Sequence, residues 1–169
     1  MSAPDRIATT LAALAHGLHA EDVPEAVSLR ARHLILDAIG CALASRREDY
    51  AARFLAAARA LADGLEDAGV TSGTSVTSGG GRGLIGYTER LPLRDSAMMN
   101  GVLAHGLDYD DTHMAGVIHL TVSVLPAVLA VGAARRVSGG AMLTAYIAGV
   151  EAGARIASVV KSGFHAHAI

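Results

Sequence analysis

Cysteine and aromatic residues are scarce in this chain, and each scarcity excludes something. Cys41 stands alone among 169 residues, which rules out an internal disulfide and a zinc site built from cysteines. Tryptophan is absent, and two Phe and four Tyr supply all the aromatic side chains. The apolar mass is therefore Ala, Leu, Val and Ile, and Ala-rich stretches favour close-packed helices over sheets. Charged residues make up only 18% of the chain, and the formal net charge is −2 with the eight His neutral, so no basic field invites nucleic acid. The opening MSAPDRIATT has no apolar signal-peptide core, and the expectation is a cytoplasmic protein. Long hydrophobic runs are nearly missing too. Val117 to Ala134 reaches the lower length limit of a membrane span, but it holds Pro126, Thr121 and Ser123. The next apolar stretch carries Glu151 and Arg155, each costly in hydrocarbon, so buried helices of a helical bundle are expected rather than spans.

What is present reads as one all-α domain over residues 1–169. Ile7, Leu11, Leu14 and Leu18 recur at helical spacing. Asp22 reads as the cap of a second helix, with Pro24 and Glu25 in its first turn and Val27, Ala31, Leu34, Ala38 and Cys41 along one stripe to about Ser45. Ile35, Ile39 and Ala42 widen that stripe. Glu48 or Asp49 opens a third helix through Phe54, Leu55 and Leu61, ending near Gly64. From Gly64 to Gly86 Ser, Thr and Gly dominate, without the Lys-Ser/Thr pair or GxGxxG spacing of a phosphate cradle, and a surface loop is expected. Pro92 precedes a helix from Leu93 to about Leu107, with Met98 and Met99 as core fillers. Helices near Thr121–Arg135 and Ala141–Val160 complete the chain.

The polar stretch between two apolar helices carries the chemistry. Asp108, Asp110, Asp111, His113 and His119 fall within twelve residues, pinned between core elements, as at a pocket mouth. The donors would suit magnesium, iron or zinc, but no recognised metal spacing such as HExxH or a calcium loop is present. The aspartate-rich DDxxD of prenyl-diphosphate sites fails as well, because Thr112, His113 and Met114 follow Asp110-Asp111. A metal-free acid–base pair and a solvated acidic turn both remain compatible with the pattern. Outside this stretch, Glu151 sits one turn before Arg155 and reads as a helix-surface ion pair, His105 as a packing or hydrogen-bonding residue, and Cys41 as an unreactive core thiol.

The run Asn100-Gly101…Ala104-His105…Asp108-Tyr109-Asp110-Asp111-Thr112-His113 resembles the MmgE/PrpD family, which includes 2-methylcitrate dehydratase, cis-aconitate decarboxylase and iminodisuccinate epimerase. The resemblance extends to Arg32–Cys41, to Val124-Leu125-Pro126-Ala127 and to Ala148-Gly149-Val150-Glu151. It implies a large all-helical domain with a smaller α/β lid, assembled as a homodimer, that performs metal- and cofactor-free acid–base chemistry on small di- and tricarboxylates. It implies catalytic roles at Asp108, Thr112 and His119, with Asp111 and His113 as further substrate contacts. The match departs at His119-Leu120-Thr121, where the family pattern is His-Pro-Ser, which bears on the backbone and on a hydroxyl contact. A second family histidine sits in Gly-Phe-His-Pro-Thr. Gly163-Phe164-His165 matches its first half, but Ala166 and His167 replace Pro-Thr, so His165 is expected to be an upstream neighbour of a motif that lies beyond Ile169. The expectation is thus the N-terminal part of a lyase or isomerase, incomplete by itself and completed by a homodimer or a C-terminal portion. The alternative is a non-catalytic helical remnant or dimerising subunit.

Overall fold

A computed structural model describes residues 6–67 and 81–159, with the backbone alone for 63–67. Its order is α1 (Ile7–Gly17), a 3-10 turn (Ala20–Asp22), α2 (Glu25–Ser45), α3 (Asp49–Asp67), β1 (Arg82–Gly83), β2 (Arg90–Leu91), α4 (Leu93–His105), α5 (Leu120–Arg135) and α6 (Gly139–Val159). The described residues are all-α apart from one two-stranded antiparallel pair. No helix among them is long and apolar enough to cross a membrane.

Small side chains set the packing. Ala31, Ala38 and Ala42 on α2 and Ala51, Ala58 and Leu55 on α3 are buried, and they meet Met99, Leu103 and Ala104 of α4. Alanine at these positions costs no side-chain entropy and lets backbones approach closely. α4 is the centre of the bundle, in contact with α2, α3, α5 and the strand pair. α1 buries none of its residues and leans on α6. α5 packs against α4 at Gly101, where even a Cβ would meet Pro126 Cγ and the Val122 carbonyl at an ordinary contact distance of 3.7 Å.

Several local expectations change. Asp22 does not cap α2; it ends the 3-10 turn, and Pro24 occupies the cap position with no side-chain hydrogen bond. Proline there has its φ at −55°, ready for the helix that follows, and its carbonyl accepts the Val27 and Ser28 N–H groups. α3 continues past Gly64 to Asp67. Of its expected apolar residues, Leu55 is buried while Phe54 and Leu61 are half-exposed. Met98 is exposed and only Met99 fills the core, because they lie on different sides of α4. α4 ends at His105, two residues early, where Gly106 abuts Tyr50 so closely that a Cβ would overlap the phenol.

The segment read as a surface loop holds structure at its end. Residues 68–80 of it lie outside the described residues. Beyond them Arg82 pairs with Leu91 and Gly83 with Arg90. Leu84 is buried in the core. Two polar residues of α4 hold this hairpin: Ser96 Oγ and Asn100 Nδ2 donate to the Gly83 carbonyl at 3.0 and 3.2 Å, and the Ile85 N–H donates to Asn100 Oδ1 at 2.9 Å. Asn100, first residue of the motif read above, is thus a buried bracket.

Candidate functional site

The cluster forms where α4 stops. His105 is the last residue of α4, its carbonyl accepts the Asp108 N–H at 2.8 Å, and Asp108 itself adopts a left-handed φ of 56°. That turn sends the chain back over the helix end, so Asp110 is buried while Asp108 and Tyr109 are exposed. The connection closes with the His113 N–H donating to the Ile118 carbonyl at 2.8 Å and with Val117 at a φ of 46°. His119 then takes the cap position of α5. The positive end of the α5 dipole faces the carboxylates here, a favourable placement for negative charge.

Four side chains converge. Asp110, with a fully buried carboxylate, accepts a hydrogen bond from His105 Nδ1 at 3.0 Å and lies 3.1 Å from His119 Nδ1 through its other oxygen. The first contact is a well-formed hydrogen bond. The second is within ion-pair range but too oblique for a regular one, and the buried His119 Nδ1 makes no hydrogen bond. Asp108 Oδ1 stands 3.5 Å from His119 Nε2, on the solvent side, its side chain 76% exposed. The two imidazole centroids are 4.9 Å apart. One donor atom from each of His105, Asp108, Asp110 and His119 lies within 4.8 Å of the others, a nitrogen–oxygen set that could take a borderline cation. Such an ion would have to displace the imidazoles from Asp110, whose oxygens both face ring nitrogens.

The comparisons with known proteins agree with one another. Residues 9–169 match the family model of the MmgE/PrpD N-terminal domain. The chain belongs to the MmgE/PrpD family. The cis-aconitate decarboxylase-like protein oryM of Aspergillus oryzae is 31% identical over 150 residues, which is 85% of this chain and 28% of that protein. Cis-aconitate decarboxylase of Aspergillus terreus is 28% identical over 166 residues, 92% of this chain and 31% of that protein. The chain therefore spans under a third of the length of these MmgE/PrpD relatives. No solved structure matches it.

Against the residues singled out from the sequence, the MmgE/PrpD motif is brought together in part. Asp108 and His119 do meet. Thr112 is exposed on the connection, and Asp111 is half-buried and outside the cluster. His113 turns inward on its own loop, its Nδ1 accepting the Gly116 N–H at 3.2 Å. His165 lies outside the described residues. Thr121, which stands where the family pattern has serine, is wholly buried with its hydroxyl 2.6 Å from that of Tyr146, so it supports α6 instead of facing the cluster. From the sequence, Asp110 falls in the polar stretch without a role of its own and His105 is a packing or hydrogen-bonding residue; their contact with each other is missed. The available signal was their five-residue spacing across Gly106, which lets a helix end and the returning chain meet.

Other residues keep the duller roles expected of them. Glu151 and Arg155 pair across one turn of α6, with Arg155 Nε 2.7 Å from Glu151 Oε1. Cys41 is buried, and burial first, then the charges of Asp37 and Asp110, push its thiol pKa upward, away from a reactive thiolate. Of the cluster, His105 lines a groove of 410 Å³ with Tyr50, Phe54, Val102, Val122 and Ser123. A separate, mostly apolar groove of 430 Å³ between α2, α5 and α6 is lined by Ile35, Leu36, Leu125 and Val128, with Arg32 and Tyr146 as its charged and phenolic members.

Proposed function

We propose that these residues supply the acid–base part of a lyase-type site acting on a small di- or tricarboxylate, with cis-aconitate as the first substrate to try. The observation that carries this reading is the His119 imidazole held between Asp108 and Asp110 at a helix start. Decarboxylation or elimination needs one group to take or give a proton at carbon and a second to manage the departing group. An imidazole titrates near neutrality and can serve in either direction. Membership of the MmgE/PrpD family and the similarity to two fungal proteins named for cis-aconitate decarboxylation support the choice of substrate class.

The same charges argue that other residues must join the site. Every ion pair within the cluster is carboxylate to imidazole, and no Lys or Arg occurs between Arg94 and Arg135. A tricarboxylate approaching Asp108 needs cations to offset the repulsion. We assign these to a C-terminal portion, with its lid, or to a second copy in a homodimer, so the 169-residue chain by itself is expected to turn nothing over.

The test is turnover of cis-aconitate, 2-methylcitrate and iminodisuccinate by a polypeptide joining this chain to the C-terminal part of a family member. There, His119→Asn is expected to lower kcat by ~10²–10⁴-fold with little change in KM, the contribution of a positioned proton carrier. A loss of about threefold or less, far under that range, would make His119 structural. Turnover by the 169-residue chain without any addition would overturn the incomplete-site reading.

A further inference from the structure

The buried carboxylate of the cluster is Asp110, whereas Asp108 faces solvent. A carboxylate accepts hydrogen bonds and donates none, so a ring nitrogen hydrogen-bonded to it must carry a hydrogen. Asp110 offers both oxygens to His105 Nδ1, at 3.0 and 3.3 Å, and the second oxygen also lies 3.1 Å from His119 Nδ1 without a regular hydrogen bond. Its side chain is fully buried, where electrostatic contacts are strong, whereas Asp108 is 76% exposed and stands at 3.5 Å. Among the described residues His105 pairs with no other carboxylate, and a proton on Nδ1 leaves Nε2 as the acceptor nitrogen of a ring that lines the 410 Å³ groove.

We infer that Asp110 is a positioning residue that holds His105 beside His119 as the Nδ1–H tautomer, so that the His105 Nε2 is presented as a proton acceptor and His105 becomes the second imidazole of the site. The geometry explains why a short connection would bury a carboxylate at the end of α4: one buried group sets two rings at a centroid spacing of 4.9 Å. It also gives Asp108 a different part, at the Nε2 side of His119, where a substrate proton would arrive. The inference deepens the lyase reading without needing turnover to be examined.

The experiment is long-range proton–nitrogen correlation NMR on the full 169-residue chain with nitrogen-15 histidine, at about pH 8.5, well above the ordinary imidazole pKa of ~6.5. Unrestrained neutral histidines favour the Nε2–H tautomer, so His33, exposed on α2, serves as the internal reference. His105 is expected to show pyridine-type Nε2 and protonated Nδ1. Asp110→Ala should return His105 to Nε2–H, and Asp108→Asn should leave it unchanged. Nε2–H on His105 in the unaltered chain overturns the proposal outright, even where a variant fails to fold. A His105 tautomer that is the same in Asp110→Ala as in the unaltered chain would remove Asp110 as its cause. The tautomers are read without substrate, so they stand or fall separately from the lyase chemistry. In the joined polypeptide, Asp110→Asn is expected to lower kcat by about tenfold or more at nearly constant KM, since a misplaced imidazole tautomer costs up to ~10⁴-fold in carboxylate–histidine pairs. An unchanged kcat there would reduce Asp110 to a structural residue.

Discussion

Tyr146 and Thr121 meet in the core as the buried hydroxyl pair that joins α6 to α5, 2.6 Å apart and each almost fully shielded. Removing one partner leaves the other without its bond, a cost of about 1–3 kcal/mol for a buried polar group. Tyr146→Phe and Thr121→Val are therefore each expected to lower the unfolding free energy by roughly that amount, and the double variant by less than their sum. The phenol also makes stability depend on pH. Burial raises its pKa above the usual 10.0, opposed by the Thr121 bond and reinforced by the Asp111 charge. Below the unfolded pKa both states hold the proton and the stability is fully present. As pH rises past about 10 the unfolded chain releases its proton while the folded one keeps it, and stability falls toward the folded pKa. Denaturant titrations across that range should show a decline in the unaltered chain that is shallower in Tyr146→Phe. An equal slope in both would remove Tyr146 as its source.

The α4–α5 connection owes its shape to backbone positions as much as to its charges. Asp108 in the left-handed region is a tolerable choice, since a short polar side chain bonds locally there. Val117, β-branched and half-exposed at a φ of 46°, is not. Glycine at 117 relieves a left-handed penalty of about 1–2 kcal/mol and adds unfolded-state entropy worth ~0.4–1, so Val117→Gly is expected to raise stability slightly. One residue earlier the sign reverses. A Cβ on Gly116 would sit 2.3 Å from Ala157 Cβ and 3.0 Å from the α6 backbone, so Gly116→Ala should destabilise by ~1–3 kcal/mol through overpacking. Thermal melts of the two variants give the check: a lower melting point for Val117→Gly, or an unchanged one for Gly116→Ala, contradicts this account. Gly116 also ties the loop to α6, so the cluster's geometry depends on a helix that contributes no residue to it.

At the scale of the whole molecule, apolar side chains remain uncovered. Leu29, Leu36 and Leu43 lie seven residues apart along α2 and are 50%, 69% and 44% exposed, and Ile156 and Val159 on α6 are 50% and 80% exposed. Apolar patches beyond roughly a few hundred Å² drive association, and covering a large aliphatic side chain is worth ~1.5–3 kcal/mol. The chain is expected to self-associate at micromolar concentration, with Leu36→Glu shifting the sedimentation profile toward the monomer. A monomer in the unaltered chain at that concentration would count against the homodimer expectation.

Helical class, family and the Asp108–His119 pair could be read from the chain itself, because each depends on local spacing: apolar residues at three and four, alanine where helices touch, and a motif contiguous in sequence. Which side of a helix wins was not legible in the same way. Met98 and Met99 are chemically alike, and only the position of α2, α3 and α5 around α4 decides that one is buried and the other exposed. Likewise Asp110 and Asp111 are adjacent and identical, yet the chain after the left-handed turn at Asp108 buries the first in the end of the bundle against two imidazoles and leaves the second half-buried outside the cluster. The hairpin at Arg82–Leu91 pairs only two residues on each strand, too few to leave a periodic signal, and it forms because Ser96 and Asn100 of α4 bond its backbone. Composition and periodicity determine which segments become helices; the burial of one particular carboxylate is decided by where distant helices end, since burial is a property of neighbours that local sequence does not contain.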